Sequence, residues 1–231
     1  LDEMGIRDNT ILWYTSDNGG LRNIGSTVGR DYKGKVYDGG LLVPAILEWP
    51  AKIPAHRITN QRCVTSDIYP TLLEIAGVKM PNQPELDGIS LMPVIEGKDI
   101  PRTKSLGFWD TIAPGIGTRA DLWMAELLEA QKKGEDLPPH PASAAAADLP
   151  DPKGSDEQFP GHSAWIEGDW KLHRITDKDG KNEKWELYDL KNDPMEAKDL
   201  ALAEGERVAR MKVELETWLK SVVGSLNGED Y

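Results

Sequence analysis

Apolar residues fall into short runs along the first hundred positions, and again after residue 160, with helical spacing between and beyond them. Residues 10–15, Thr-Ile-Leu-Trp-Tyr-Thr, are β-branched and aromatic and predict a buried strand. The run stops at Asp17-Asn18-Gly19-Gly20, which reads as a tight loop. A second run, residues 43–49, is entered through Pro44 and predicts a second strand. Residues 66–76 predict a helix with Ser66 or Asp67 as its cap and Gly77 as its stop. Its apolar face, Ile68, Leu72, Leu73 and Ile75, is expected to pack on the sheet. Residues 1–7 read as the last turns of an amphipathic helix, so the chain looks like a fragment whose missing part lies upstream.

The second half follows another pattern. Residues 105–109 predict a strand and residues 119–133 a helix. Residues 134–161 hold six prolines and the tract Ala144-Ala145-Ala146-Ala147. They read as a long irregular excursion, either a lid over a site or a disordered insertion. Strands at 163–166 and 170–175 flank Glu167-Gly168-Asp169, a hairpin signal, and residues 184–189 alternate as an antiparallel strand should. A final helix over 204–223 carries Val208, Met211, Leu215, Trp218, Leu219 and Val222 at helical spacing. Three strands and then a helix predict a small α+β subdomain, and Trp165, Trp170, Trp185 and Trp218 read as its core.

Composition narrows the function classes. The 231 residues carry 27 basic and 39 acidic side chains, a net charge of −12, which argues against a nucleic-acid partner. No apolar run approaches the length that crosses a bilayer. Cys63 is the only cysteine, which excludes an internal disulfide or a thiolate metal cluster and leaves the compartment undetermined.

The candidate chemistry sits at the end of the first strand. In open α/β sheets ligands bind beyond the carboxyl ends of strands, and Asp17 and Asn18 place two hard oxygen donors there, the kind Ca2+ or Mg2+ takes. Lys33, set among glycines in Lys33-Gly34-Lys35-Val36-Tyr37-Asp38-Gly39-Gly40, brings a mobile cation towards the same edge, with Lys35 as its rival. The glycine-rich residues 19–32 lack the spacing of a phosphate-cradling P-loop. Calcium takes six to eight oxygens. Asp17 and Asn18 offer fewer, and Asp31 and Asp38, as loop aspartates, are expected to be solvated. As written, the metal site is incomplete. Cys63 reads as a structural thiol, since nothing near it in sequence would stabilise a thiolate.

Ser-Asp-Asn-Gly followed by Lys-Gly-x-x-Tyr-Asp-Gly-Gly-x-x-Val-Pro-x-x-x-x-Trp-Pro resembles the second half of a type I sulfatase of the alkaline-phosphatase superfamily. Further along, the Asp-x-x-Pro-Thr helix and the Leu-Asp-Gly-x-Ser-Leu turn resemble the same family. So do the Gly-x-Trp-Lys-Leu hairpin and the Glu-Leu-Tyr-Asp-Leu-x-x-Asp-Pro strand. Residues 110–161 are the main stretch outside the resemblance. It implies an α/β fold: part of an alkaline-phosphatase-like sheet domain over 1–97, then a small α+β subdomain over 98–231 with one helix on an antiparallel sheet.

The resemblance also implies a sulfuric ester hydrolase acting on a sulfated sugar or other small molecule, in the periplasm or secreted. Asp17 and Asn18 would hold Ca2+, with Mg2+ as the alternative, and Lys33 would contact the sulfate. His162 is a candidate substrate contact, the rival reading being an ordinary loop histidine, as His56 and His140 are read. His173, inside a strand, reads as structural. The family nucleophile is a formylglycine made from Cys/Ser-x-Pro-x-Arg. Cys63 is followed by Val64-Thr65-Ser66-Asp67 and no serine here fits, so the formylglycine is expected in the upstream part and the chain alone is expected to be inactive. Leu42 stands where the family usually has arginine. The alternatives are a phosphate mono- or diester hydrolase of the same superfamily and a non-catalytic binding module.

Overall fold

The computed structural model describes residues 1–21, 28–98, 100–110, 120–135, 155 and 157–230. Of the excursion expected over 134–161, residues 136–154 and 156 lie outside the described residues, while Phe159 near its end is buried in the core rather than part of an irregular loop. Residues 1–6 form exposed turns, with Gly5 at φ +66°, and lead into a 3-10 turn at Arg7–Asn9 rather than a helix. The first strand, β1 (Leu12–Thr15), pairs antiparallel with β2 (Ala45–Glu48), Tyr14 standing opposite Ile46. The expectation of a buried strand is corrected here: Leu12, Tyr14 and Ile46 are exposed. A two-stranded ribbon has one hydrogen-bonded neighbour, and nothing among the described residues covers this face.

The connection from β1 to β2 contains a one-turn helix, α1 (Asp38–Leu41), and β2 is followed by α2 (Ile68–Ala76). Gly77, at φ +65°, ends α2 as expected. Asp67 stands at the N-cap position, but its side chain makes no capping bond to α2 and is used elsewhere. Its carboxylate accepts the Val64 N–H at 2.9 Å and the Ile89 N–H at 2.8 Å, and meets the Arg102 guanidinium in two bonds of 2.7 and 2.8 Å. Thr71, one turn on, accepts the Leu91 N–H on its hydroxyl at 2.8 Å. Both side chains are fully buried. Gly88 lies so close beneath Ser66 that a Cβ would overlap the Ser66 carbonyl. The Asp-x-x-Pro-Thr and Leu-Asp-Gly-x-Ser-Leu sequences are therefore one device, in which two side chains satisfy the buried backbone of a turn. A short helix, α3 (Met92–Ile95), follows.

The four strands β3 (Leu106–Asp110), β4 (His162–Glu167), β5 (Trp170–Ile175) and β6 (Lys184–Asp189) form an antiparallel meander in chain order. Helix α4 (Ala120–Lys133) lies in the β3–β4 connection, and α5 (Gly205–Leu226) closes the chain. One face of the sheet packs on α5. Met211, Leu215, Leu219 and Val223 are buried there against Leu172, Leu187, Phe159 and the indoles of Trp165 and Trp185. The helical stripe is as expected except at its end. Val223 is buried and Val222 half-buried, because 211, 215, 219 and 223 form one i, i+4 row. Trp218 lies over β3 where Gly107 leaves room; a Cβ there would overlap the indole.

The other face carries charge into the interior. Lys171 and His173 on β5, Glu186 on β6 and Glu196 beyond it are all buried. Strand alternation points them away from α5, onto the segment that carries Tyr37 and Asp38. Lys171 Nζ lies 2.6 Å from Asp38 Oδ1 and 3.0 Å from Glu196 Oε1. Glu196 Oε2 accepts the Asp38 backbone N–H at 2.7 Å, and its Oε1 meets His173 Nε2 at 2.7 Å. His173 Nδ1 is 2.8 Å from His162 Nε2. Glu196 holds this position at φ +50°, a conformation that side chains other than glycine enter only when their surroundings fix them. Asp38, expected to be solvated, is instead 9% exposed and ion-paired. Tyr37 and Tyr188 both donate to Glu186 Oε2, at 2.6 and 2.8 Å. Arg30 bonds the Tyr188 hydroxyl and the Glu196 carbonyl, with its guanidinium 3.9 Å over the Tyr37 ring.

The imidazoles are held neutral. Burial, followed by the neighbouring His173 and Lys171, pushes His162 down to about 3, and burial also lowers His173. Desolvation opposes the charge on Glu186, but hydrogen bonds from Lys184, Tyr37 and Tyr188 outweigh it and hold the carboxyl at about 2.

Two outcomes are expected. Leu219→Ala should cost about 3 kcal/mol of unfolding free energy, measured by urea denaturation, and Val223→Ala more than Val222→Ala. Each buried imidazole takes up a proton on unfolding, so stability rises with pH below the ordinary histidine value of 6.5, for His162 down to about 3. Glu186 acts in the same direction, its contribution being lost as pH falls from its ordinary 4.5 towards 2. The urea midpoint should therefore fall below pH 6.5, and His162→Gln should flatten that slope. A level midpoint from pH 7 to 4 contradicts the neutral pair.

Candidate functional site

The turn after β1 is fixed mainly by backbone contacts. Ser16 Oγ donates to the Asn18 carbonyl at 2.9 Å, and the Asn18 amide donates to Asp17 Oδ2 at 2.6 Å. The Gly19 N–H bonds the Gly40 carbonyl at 2.9 Å, and a Cβ on Gly19 would overlap the Gly39 carbonyl oxygen. The Lys33 N–H bonds the Gly20 carbonyl at 2.8 Å, which ties the start of the lysine loop to the turn. Only glycine allows backbones to approach this closely, and that accounts for glycine at 19, 39 and 40.

These contacts bring three of the four candidate residues together. Lys33 Nζ lies 3.9 Å from Asp17 Oδ2, and Asn18 stands beside Asp17. The Lys33 and Asp17 side chains are 47% and 83% exposed, so the ion pair is open to water and weak. A weak pair suits a binding site, since a ligand has little to displace. Lys35 is exposed and makes no ion pair among the described residues. Asp31 is also exposed, at φ +64°.

The fourth candidate, His162, lies elsewhere in the fold. Its contacts are His173 and the edge of Tyr37, with 5.0 Å between the His162 and Tyr37 ring centroids, rather than Asp17, Asn18 or Lys33. His173 is structural, as read from sequence. His56 is exposed, and His140 lies outside the described residues. Cys63 is exposed and bonds the Gln61 carbonyl at 3.4 Å. Desolvation and the Asp67 carboxylate both push its pKa up, the opposite of what a reactive thiolate needs.

Asp17 and Asn18 have the chemistry of a hard-cation site and too few oxygens to complete one. Among the described residues no group of three or more His, Cys, Asp or Glu is placed to hold a metal. No helix among them is long and apolar enough to cross a membrane.

Sequence reasoning missed the groups behind the site: Tyr37, Asp38, Lys171, Glu186 and Glu196. Lys171 and Asp38 are 133 positions apart, and neither stretch carries a local sign of the other. The only hint was a lysine and a histidine alternating with apolar residues in β5, a pattern that ordinarily marks a solvated face.

The family model described as Sulfatase matches residues 1–78. Arylsulfatase H of Canis lupus familiaris is 36% identical over 109 residues, covering 42% of this chain and 19% of its own. The Ulvan-active sulfatase of Formosa agariphila is 27% identical over 221 residues, 94% of this chain and 38% of its own. A solved structure in complex with its substrate D-glucosamine-2-N,6-O-disulfate superposes with a TM-score of 0.58 at 22% identity, covering 100% of this chain and 37% of that one. The chain thus spans between 19% and 38% of the length of these proteins. The likeness runs through both halves of the chain and includes the Asp17–Lys33 site. Residues 1–78 thus match the sulfatase family model, and the chain is similar to sulfatases along nearly its whole length.

Proposed function

We propose that Asp17, Asn18 and Lys33 form part of the active site of a sulfate-ester hydrolase, with a sulfated sugar as substrate. The observation that carries this reading is the placement of the Lys33 amine 3.9 Å from Asp17, on a loop bonded to the Asp17–Asn18 turn. The sugar is suggested by the structural neighbour that binds a disulfated glucosamine. Asp17 and Asn18 would hold Ca2+, with Mg2+ as the alternative, and the ion would supply fixed positive charge beside the sulfate oxygens. Lys33 would set its ammonium against those oxygens as charge moves towards the departing alcohol, a preorganised stabilisation that needs no proton transfer. His162 serves in this reading to seat Tyr37, ahead of any contact with substrate.

In this reading the formylglycine nucleophile is supplied from elsewhere, as the 231 residues contain no Cys/Ser-x-Pro-x-Arg sequence. A periplasmic or secreted location accompanies the reading.

The chain should show no metal-dependent turnover of a chromogenic aryl sulfate. Inorganic sulfate should nevertheless protect Lys33, and not Lys35, from an amine-modifying reagent when followed by mass spectrometry. Ca2+ should strengthen that protection, and Asp17→Asn should abolish the strengthening. Equal modification of both lysines with and without sulfate contradicts the site, and turnover by the chain contradicts the absence of the nucleophile.

A further inference from the structure

The Asp17–Lys33 pair is too exposed to hold its own loop in place, so the rigidity of the site must come from elsewhere. The backbone shows the route. Asp38 opens α1, whose Gly39 and Gly40 form the surface on which Gly19 rests. The Gly39 N–H bonds the Arg30 carbonyl at 2.8 Å, and a Cβ at Gly40 would overlap the Lys35 carbonyl. Gly19, Gly39 and Gly40 are thus in backbone contact with no slack. A shift of Asp38 passes directly to the metal-side turn and to the lysine loop. What holds Asp38 is the sheet and the segment after it: Lys171 on β5 grips its carboxylate and Glu196, beyond β6, its N–H, both from fully buried positions.

We propose that Lys171 and Glu196 form a buried latch on Asp38, through which the four-stranded sheet fixes the Lys33 loop against the Asp17–Asn18 turn. Lys171 and Glu196 are therefore positioning residues for the sulfate site, and this rests on the reading of Lys33 as a sulfate ligand. The latch accounts for an ammonium and two carboxylates being buried where apolar side chains would serve the core. It also accounts for Glu196 being kept at φ +50°. Arg30 reinforces the latch by tying the same loop to the Glu196 carbonyl and to Tyr188.

The test uses the chain and the sulfate protection of Lys33. Lys171→Met should weaken the sulfate concentration dependence about tenfold or more, as expected when a loop is misplaced by about 1 Å. Arg174→Gln breaks a different ion pair, from the buried Arg174 on the α5 side of the sheet to the exposed Glu183, and should leave protection within about twofold. The double variant Lys171→Met/Asp38→Asn removes both charges. It should recover part of the urea midpoint lost in Lys171→Met while protection stays weak, so it carries the test if the single variant does not fold. Full protection in the wild type and in the latch variants overturns the latch alone. Equal losses with Lys171→Met and Arg174→Gln reduce Lys171 to a merely structural role and also overturn it. An unprotected Lys33 in the wild type overturns the sulfate reading and the latch with it.

Discussion

The rest of the structure depends on a lysine ammonium buried between two carboxylates. Removing such charges from water costs several kcal/mol per ion, and the cost is offset only when every group is paired and bonded. Here that condition is met. Lys171 contacts Asp38 and Glu196, Glu196 also receives the His173 ring and the Asp38 N–H, and neutral His162 completes the chain. An apolar cluster of equal volume would hold the sheet as well and could slide. A bonded cluster of this kind has one arrangement, and that arrangement sets where the lysine loop lies.

The two faces of the sheet therefore do different work. Towards α5 the contact is hydrophobic, an i, i+4 row of Met211, Leu215, Leu219 and Val223 over a floor of aliphatic and indole side chains. This face is tolerant in kind. Towards residues 30–40 the contact is polar and specific. Tyr37 shows both characters at once: its ring joins the apolar cluster of Leu106, Ile166, Tyr188 and Leu190, while its hydroxyl bonds Glu186.

Much of the sequence pattern that resembles sulfatases proves to concern backbone satisfaction rather than chemistry. Asp67, Thr71 and Gly88 seat the turn beyond α2, and Arg102 neutralises the carboxylate that does so. Gly19, Gly39 and Gly40 permit three backbones to touch. Asp17 and Lys33 stay exposed within 3.9 Å of each other, with Asn18 half-buried beside Asp17, so all three are open to a charged ligand. The exposed faces of β1 and β2 contrast with the closed interior of the meander, where every strand has a covered side.

Local chemistry determined what could be read without coordinates. The meander and the final helix were legible because period-2 and period-3.6 burial are written into consecutive residues, and turns such as Gly168 and Gly180 punctuate them. Asp17, Asn18 and Lys33 were legible because a strand end and a glycine-rich loop are local features. The burial of Asp38, the exposure of β1 and the partners of Lys171 were decided only by tertiary structure. A lysine alternating with leucine in a strand looks the same whether its face meets water or a carboxylate, and the difference here is made by a residue 133 positions away. Solvation is a property of what packs against a residue, and that is settled when the chain closes on itself.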